Sequence, residues 1–196
     1  FPFGVNVENF DNPSNAGNAV PEDLKDIKRP ILGYIGGIHR HIDFELVRFI
    51  ARARPDWSIV LVGPVQANIE DIEGFKNIFL LGKKDFKGLP FYINEFAVGI
   101  IPYIKNEYTA TVYPTKLNEY HVLGKPVIST DLPEVEKFNR ENADLVKIAK
   151  TYDQFIEYIA RSLNEKNNEL ISNRISSAKK NSWIKIIEEM SCLIED

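Results

Sequence analysis

The strongest structural signal in this chain is the segment YPTKLNEYHVLGKPVIST, residues 113–130. Pro114 suits the first turn of a helix, where its missing N–H group has no intrahelical partner. Gly124, followed by Lys and Pro, is a natural stop signal for that helix. The apolar run at 127–129 then resembles a short buried strand. The segment therefore predicts a helix of about ten residues, a tight turn and a strand.

Lys116 and Glu119 lie three positions apart and share one face of this helix, near its N-terminal end. Two interpretations are open. The side chains could form a weak ion pair on the surface. Alternatively, because helix N-termini at the carboxyl edge of an α/β sheet attract phosphate, the ammonium could bind phosphate and the carboxylate could bind ribose hydroxyls. The second interpretation predicts a nucleotide site.

Length and composition describe one globular α/β domain: 196 residues, 44% hydrophobic and 27% charged. A net charge of -4 and a pI near 5.5 argue against a dedicated nucleic-acid binder. The single cysteine, Cys192, excludes a disulfide within the chain and favours a reducing, cytoplasmic compartment. The sequence has neither a signal-peptide pattern nor an apolar run of about 18 residues, the length that would span a membrane.

From Ile31 onwards, short apolar runs alternate with helical patterns. The predicted strands cover 31–35, 58–62, 77–81, 97–101, 126–129 and 145–148; the predicted helices cover 43–53, 89–96, 152–163 and 171–194, besides the helix after Pro114. Because the strands are apolar on both faces, they suit a parallel sheet. The pattern predicts a doubly wound, Rossmann-like α/β fold with its ligand at the carboxyl ends of the strands. Asp43 is expected to cap the first helix, and Trp183 to lie in the core.

Residues 1–29 are rich in Asn, Pro, Gly and Asp and predict an extended lead-in to the α/β domain at 30–196. The chain opens with Phe1 rather than Met and has no capping signal there. We therefore expect it to be a fragment of a longer protein.

The order of residues from Pro114 to Glu134, PTKLNEYHVLGKPVISTDLPE, resembles the donor-binding segment of GT-B glycosyltransferases of the family 4 or group 1 type. The resemblance is close from Ile31 to Glu134 and looser over residues 1–30. It implies that the chain is the C-terminal, donor-binding half of a GT-B architecture. In that family the residue matching Glu119 binds the ribose of a nucleotide-sugar, and the preceding basic residue lies near the diphosphate.

The resemblance also implies an activity. The enzyme would be a hexosyltransferase-type, retaining glycosyltransferase without a resident cofactor or metal, acting in polysaccharide or glycolipid synthesis. It would take its sugar from a nucleotide-diphosphate donor and pass it to an acceptor held by an absent N-terminal domain, so the isolated half is expected to be inactive. That absent domain would also supply any peripheral contact with the inner face of the membrane. Two alternatives remain, half of a nucleotide-sugar 2-epimerase and a non-catalytic nucleotide- or protein-binding module.

Within this resemblance, Arg40 and Lys116 are the expected catalytic residues, which stabilise charge on the diphosphate leaving group. The expected donor-binding residues are Gly36, Gly37, His39, Gly82, Lys83, Thr115, Leu117 and Glu119. Thr111 stands eight residues before Glu119, where the family often carries a second acid. That departure from the two-acid pattern leaves transfer activity open.

The loop Gly36-Gly-Ile-His-Arg-His follows a strand and precedes a helix. It is either an ordinary tight turn or a place where phosphate approaches backbone N–H groups. The family usually has Gly-Arg at its start and a Lys just before the helix; here Gly37 replaces the Arg, and Arg40 falls where the Lys would be. His39 is either a solvated loop residue or a contact to the donor phosphate or acceptor. With His121 distant in sequence, the histidines do not complete a metal-ligand set.

Gly82 and Lys83 follow the third predicted strand, where related enzymes bind the nucleobase and neighbouring phosphates. The alternative for Lys83 is a solvated charge on a turn.

Overall fold

A six-stranded parallel sheet forms the centre of the structure, a computed structural model that describes residues 4–10 and 20–195. Its strands are β1 (Ile31–Ile35), β2 (Ser58–Val62), β3 (Ile78–Leu80), β4 (Val98–Ile101), β5 (Val127–Thr130) and β6 (Val146–Ala149). The helices are α1 (Phe44–Ala53), α2 (Leu89–Glu95), α3 (Glu107–Thr111), α4 (Lys116–Val122), α5 (Pro133–Glu141), α6 (Tyr152–Leu163), α7 (Asn168–Lys180) and α8 (Trp183–Glu195). Short 3₁₀ turns occupy Val7–Asn9, Glu22–Leu24 and Phe86–Gly88.

The strand order is β3-β2-β1-β4-β5-β6, and every pairing in it is parallel. The order reverses between β1 and β4, which pair through Leu32↔Val98 and Gly33↔Gly99. In doubly wound sheets this reversal opens a crevice at the carboxyl ends of the two strands, where ligands bind. The predicted fold class is confirmed, and the crevice lies beyond Ile35 and Ile101.

Helix α4 is fixed against this crevice by Tyr120, which is fully buried. The Tyr120 hydroxyl accepts a hydrogen bond from the Ile35 amide (3.0 Å) and donates one to the Gly33 carbonyl (3.3 Å). Its ring lies over Gly99, where an added Cβ would come within 2.6 Å of a ring carbon. Tyr120 therefore joins α4 to both strands of the crevice and sets where the beginning of α4 points.

Several local predictions are confirmed. Asp43 caps α1 by accepting from the Leu46 amide at 2.9 Å. The helix after Pro114 is present but shorter than predicted, since Pro114 and Thr115 form its lead-in turn. The sixth strand lies one residue later than predicted.

Helices α3 and α5 were not predicted. Helix α3 is a single capped turn, and α5 has only a few apolar residues within a charged sequence.

Two predictions at the C-terminus are wrong. The predicted helix at 171–194 is two helices, because the chain breaks between α7 and α8 where Ser182 forms a backbone bridge with Val5. That partner is distant in sequence, so helical periodicity does not reveal it. Trp183 is 42% exposed rather than in the core, and its ring lies against Gly4.

The described part of the lead-in packs on the domain, with Phe10 and Leu24 buried in the core. The rest of the predicted lead-in, residues 1–3 and 11–19, lies outside the described residues, and the domain boundary stays a prediction. In the part of the chain that the structure describes, no helix combines the length and apolar character needed to cross a membrane.

The contact between α4 and α7 contains a buried polar group, His121, whose ring nitrogens both lack a hydrogen-bond partner in the described structure. Burial, and secondarily the charge of Arg174, lowers the pKa of His121 to about 3. Because an unfolded chain would titrate near pH 6.5, the native state loses stability as the pH falls from about 6.5 towards 3.

Acidification from about pH 7.5 to pH 5 is therefore expected to cost about 2 kcal/mol of folding stability through His121. Urea unfolding of the wild type and His121→Gln at both pH values measures this cost, since glutamine retains a polar side chain without titrating. The wild type should lose about 2 kcal/mol more than the variant between the two pH values. An equal pH dependence in both proteins would contradict the assignment.

Candidate phosphate and nucleotide site

Lys116 lies in the crevice between β1 and β4, with its side chain beneath the turn that follows β1. An added Cβ on Gly36 would approach the Lys116 Cε to 3.3 Å. The Lys116 ammonium donates to the Tyr103 hydroxyl and lies 5.2 and 4.7 Å from the ring centroids of Tyr34 and Tyr103. Only 8% of Lys116 is exposed, so the interpretation of Lys116 and Glu119 as a surface ion pair is wrong.

No carboxylate within the described residues forms an ion pair with Lys116. A buried ammonium without an ion-paired carboxylate is costly, because it has given up hydration and gained only a hydrogen bond to a phenol, two nearby aromatic rings and the longer-range charge of Glu119. Lys116 is therefore a preformed positive centre suited to an anionic ligand.

The turns after β1, β2 and β3 are stacked closely at this edge of the sheet. Gly36 donates its amide to the Val62 carbonyl at 2.9 Å, and Gly63 donates its amide to the Gly82 carbonyl at 2.9 Å. Gly63 has φ +153°, and a Cβ there would overlap the carbonyl oxygen of Gly36. The edge is consequently lined by backbone, which lets a ligand approach peptide groups directly.

Gly37 is held from below by Tyr34, whose hydroxyl donates to the Gly37 carbonyl at 3.0 Å. Burial raises the pKa of Tyr34, and the neighbouring Tyr103 raises it further, so the phenol stays protonated and remains a donor. This bond fixes the Gly36-Gly37 turn above Lys116.

His39 and His41 extend the cluster beyond this turn. The His39 ring lies 5.6 Å from the Tyr103 ring, and its Nδ1 accepts from the His41 amide at 3.3 Å. Burial, and then the charges of Lys116 and His41, lower the pKa of His39, which favours a neutral ring with its proton on Nε2. His41 stacks on Tyr108 at 4.4 Å and hydrogen-bonds Asn106, which connects this loop to α3.

Glu119 lies one turn after Lys116 and is half-buried. Burial raises the pKa of its carboxyl group, and the charge of Lys116 opposes that shift. Within the described structure, its carboxylate makes no hydrogen bond or ion pair. A partly desolvated carboxylate with free lone pairs can accept hydrogen bonds from ligand hydroxyl groups.

The remaining candidates lie outside this cluster or at its rim. Thr115 is exposed at the start of α4, whereas Leu117 is fully buried in the core and its amide already donates to the Pro114 carbonyl. Arg40 and Lys83 are exposed, and neither side chain forms a hydrogen bond or ion pair with another residue of the described structure. The proposed roles of these residues stay predictions.

Two further positions bear on the expected chemistry. Thr111, which stands where the family often has an acid, is exposed and donates its hydroxyl to the Tyr108 carbonyl at 3.0 Å. Across residues 4–10 and 20–195, no three His, Cys, Asp or Glu side chains are grouped so as to hold a metal ion.

Sequence reasoning missed three residues of the cluster, namely Tyr34, Gly63 and Tyr103. Each lies at the carboxyl end of a predicted strand, or directly after one, where the fold class already placed the ligand. For Tyr103, this position close to the end of a predicted strand is the signal by which the sequence could have identified it. Its contact with Lys116 depends on α4, which sequence spacing does not orient.

Comparisons with known proteins identify the family of the chain and the relatives that share its fold. The family described as "Glycosyl transferases group 1" matches residues 29–165. The chain is 35% identical over 114 residues to TuaH of Bacillus subtilis (strain 168), which is named as a proposed teichuronic acid biosynthesis glycosyltransferase; the match covers 56% of this chain and 29% of TuaH.

Among solved structures, sucrose-phosphate synthase from Thermosynechococcus elongatus superposes with a TM-score of 0.75 and 19% identity, over 99% of this chain and 51% of that one. Anabaena Alr3699/HepE in complex with UDP gives a TM-score of 0.76 and 12% identity, over 98% of this chain and 56% of that one. At these identities the superpositions show a shared fold.

The chain thus spans under a third of TuaH and about half of each solved relative. The family match covers more than half of the chain and includes the whole cluster around Lys116. It confirms the resemblance predicted from the segment after Pro114. The chain belongs to the group 1 glycosyltransferases.

Proposed function

We propose that this chain binds the nucleoside diphosphate sugar donor of a glycosyltransferase. The observation that carries the proposal is the Lys116 ammonium, which is buried at the switch point of the sheet without a carboxylate partner among the described residues. A diphosphate would supply an ion-pair partner for Lys116 and could accept a hydrogen bond from the Gly37 amide, because the Gly36 amide already donates to the Val62 carbonyl.

Glu119 extends the proposal to the nucleoside. Its unpartnered carboxylate lies one helical turn from Lys116, a separation suited to a ligand that carries phosphate and vicinal hydroxyls together. The structures of HepE with UDP and with UDP-glucose support uridine as the first nucleoside to test.

In the proposed reaction, the bond between the sugar anomeric carbon and the diphosphate oxygen breaks, and its electron pair leaves with the diphosphate. The acceptor hydroxyl oxygen forms the new bond to that carbon and passes its proton to the departing diphosphate oxygen. Lys116 stabilises the charge that develops on the departing diphosphate. Arg40 would contribute to this stabilisation only if its guanidinium moved to the bound donor, because the side chain is exposed in this structure.

We also propose where the acceptor binds and what the stereochemical outcome of the transfer is. The solved relatives are about twice as long as this chain, so we assign the acceptor to a further domain and expect this domain by itself not to transfer sugar. The name of TuaH supports a polysaccharide as product, and we propose retention of configuration without a resident cofactor. Any peripheral membrane contact would come from the further domain.

Thermal unfolding with UDP, GDP, ADP and CMP tests donor binding. A ligand at about 100 times its Kd stabilises the fold by about 2.7 kcal/mol, which raises the midpoint of a chain of this size by about 5–10 °C. We expect one diphosphate to give this shift. Glu119→Gln should weaken the binding of that nucleotide about tenfold, because the neutral amide is a weaker acceptor than the carboxylate for hydrogen bonds from the ribose hydroxyls.

Glu107→Gln is the matched control, because Glu107 is an exposed carboxylate on α3 that forms no hydrogen bond or ion pair with another described side chain. It should bind nucleotide like the wild type. No midpoint shift with any of the four nucleotides, or an equal loss in both variants, would overturn the proposal.

A further inference from the structure

Tyr103 lies directly beyond β4, on the opposite side of the crevice from the Gly36-Gly37 turn. Its side chain is 6% exposed. The hydroxyl accepts a hydrogen bond from the Lys116 ammonium, and the same ammonium lies 4.7 Å from the ring centroid. Tyr103 thus contacts Lys116 through both its polar and its aromatic part.

The structure holds Tyr103 rigidly from several directions. Its backbone bridges Ile42, and its carbonyl accepts from the Thr130 hydroxyl at 2.7 Å. Its ring packs edge-to-face on Tyr34 at 6.3 Å, with the two hydroxyls 3.4 Å apart. The carboxyl ends of β1 and β5 and the loop after β1 therefore all help to determine where the Tyr103 hydroxyl lies.

Lys116 needs such a support. A lysine stem has four rotatable bonds, and its ammonium is a strongly hydrated point charge that would otherwise turn towards water. Tyr103 and Tyr34 replace that water with one oxygen acceptor and two nearby aromatic rings. One of the three ammonium donors is used by Tyr103, which leaves the others for a ligand.

We infer that Tyr103 is a positioning residue, which holds the Lys116 ammonium at the peptide edge before the donor phosphate arrives. This inference rests on the proposed function, because it assigns Tyr103 a role in the same phosphate site. Tyr103 acts through Lys116 and does not itself touch the reacting atoms. Preorganisation of this kind strengthens binding by removing the need to order the lysine when the ligand binds.

A double-mutant cycle on the 196-residue chain tests the inference, with UDP as the probe and calorimetry or fluorescence titration as the measurement. Tyr103→Phe keeps the ring and removes the hydroxyl, and we expect it to raise the Kd for UDP about tenfold. In a Lys116→Gln background the same change should raise the Kd less than about twofold, because no ammonium remains to be positioned.

Tyr152→Phe is the matched control. The Tyr152 hydroxyl bonds Asp43 (2.9 Å), and its removal should leave UDP affinity unchanged. The role of Tyr103 would be overturned if Tyr103→Phe bound UDP as tightly as the wild type. It would also be overturned if the hydroxyl removal still cost tenfold in UDP affinity in the Lys116→Gln background. Neither result would contradict donor binding by the chain. If the wild type binds no UDP, GDP or ADP, the proposed function and this inference both fail.

Nuclear magnetic resonance of lysine ammonium groups provides a readout without nucleotide. The Lys116 signal, identified by its loss in Lys116→Gln, should exchange slowly with water and be shifted by the rings of Tyr34 and Tyr103. In Tyr103→Phe the signal should exchange faster, whereas Tyr152→Phe should preserve it. The same Lys116 signal in Tyr103→Phe and wild type would overturn the inference.

Discussion

Replacing Glu165 with leucine is expected to lower the free energy of unfolding by about 3–5 kcal/mol, the cost of leaving a buried charge unpaired. Arg174 is 3% exposed and donates to both carboxylate oxygens of Glu165, at 2.6 and 2.8 Å. Arginine cannot lose its proton to escape this environment. At this chain length the loss corresponds to a midpoint lowered by roughly 6–20 °C.

Urea unfolding followed by circular dichroism measures the effect. Glu157→Gln is the control, since Glu157 forms an exposed pair with Arg161 on α6 and should change stability by less than about 1 kcal/mol. The double variant Glu165→Leu with Arg174→Leu should recover much of the loss. A loss below about 1 kcal/mol in Glu165→Leu would show that water still reaches the guanidinium.

This ion pair also bears on the site. Arg174 donates to the Gly124 carbonyl at 3.3 Å, directly after the helix that carries Lys116 and Glu119. The contact between α4 and α7 therefore supports the orientation of α4 from the end opposite the crevice.

Replacing Lys116 with glutamine is expected to weaken UDP binding at least about 100-fold, because the phosphate loses the charged donor of the site and leaves its neighbours unpaired. The same change should leave the free energy of unfolding of the ligand-free chain unchanged or slightly increased. The reason is that Lys116 is buried without an ion-paired carboxylate among the described residues, so the cost of its burial offsets what its contacts contribute.

Titration with UDP and urea unfolding of the same samples separate the two effects. Lys137→Gln removes an equal charge from an exposed position on α5 and should alter neither quantity by more than the measurement error. Unchanged UDP affinity in Lys116→Gln would contradict the phosphate role. A fall in unfolding free energy by several kcal/mol would show that Lys116 stabilises the fold itself.

Much of the fold could be predicted because local signals agree with it. The apolar runs at β1 and β2 are buried on both faces in the structure, as a parallel sheet requires. The helix, turn and strand after Pro114 also follow from capping and stop signals that act within a few residues. The break before Trp183 could not be predicted, because it depends on a bridge to Val5 at the other end of the chain.

Some features of the candidate site could likewise be predicted from the sequence, and others could not. The residues of the turn after β1 and the pair Lys116 and Glu119 could be named from sequence, since they follow predicted strands or share a helix face. Their burial could not, because exposure depends on which elements cover the helix. Arg40 is exposed in the structure, and its expected role at the phosphate stays a prediction.

The parallel α/β fold and the edge of the sheet where a ligand would bind follow from local signals in the sequence, because hydrophobic periodicity and turn chemistry act within short segments of the chain. The family resemblance rests on the order of residues after Pro114. The burial of Lys116 as a cation held by Tyr103 and Tyr34 depends on how the folded chain packs. These residues come from three separate segments, and the reversal of strand order between β1 and β4 brings them together.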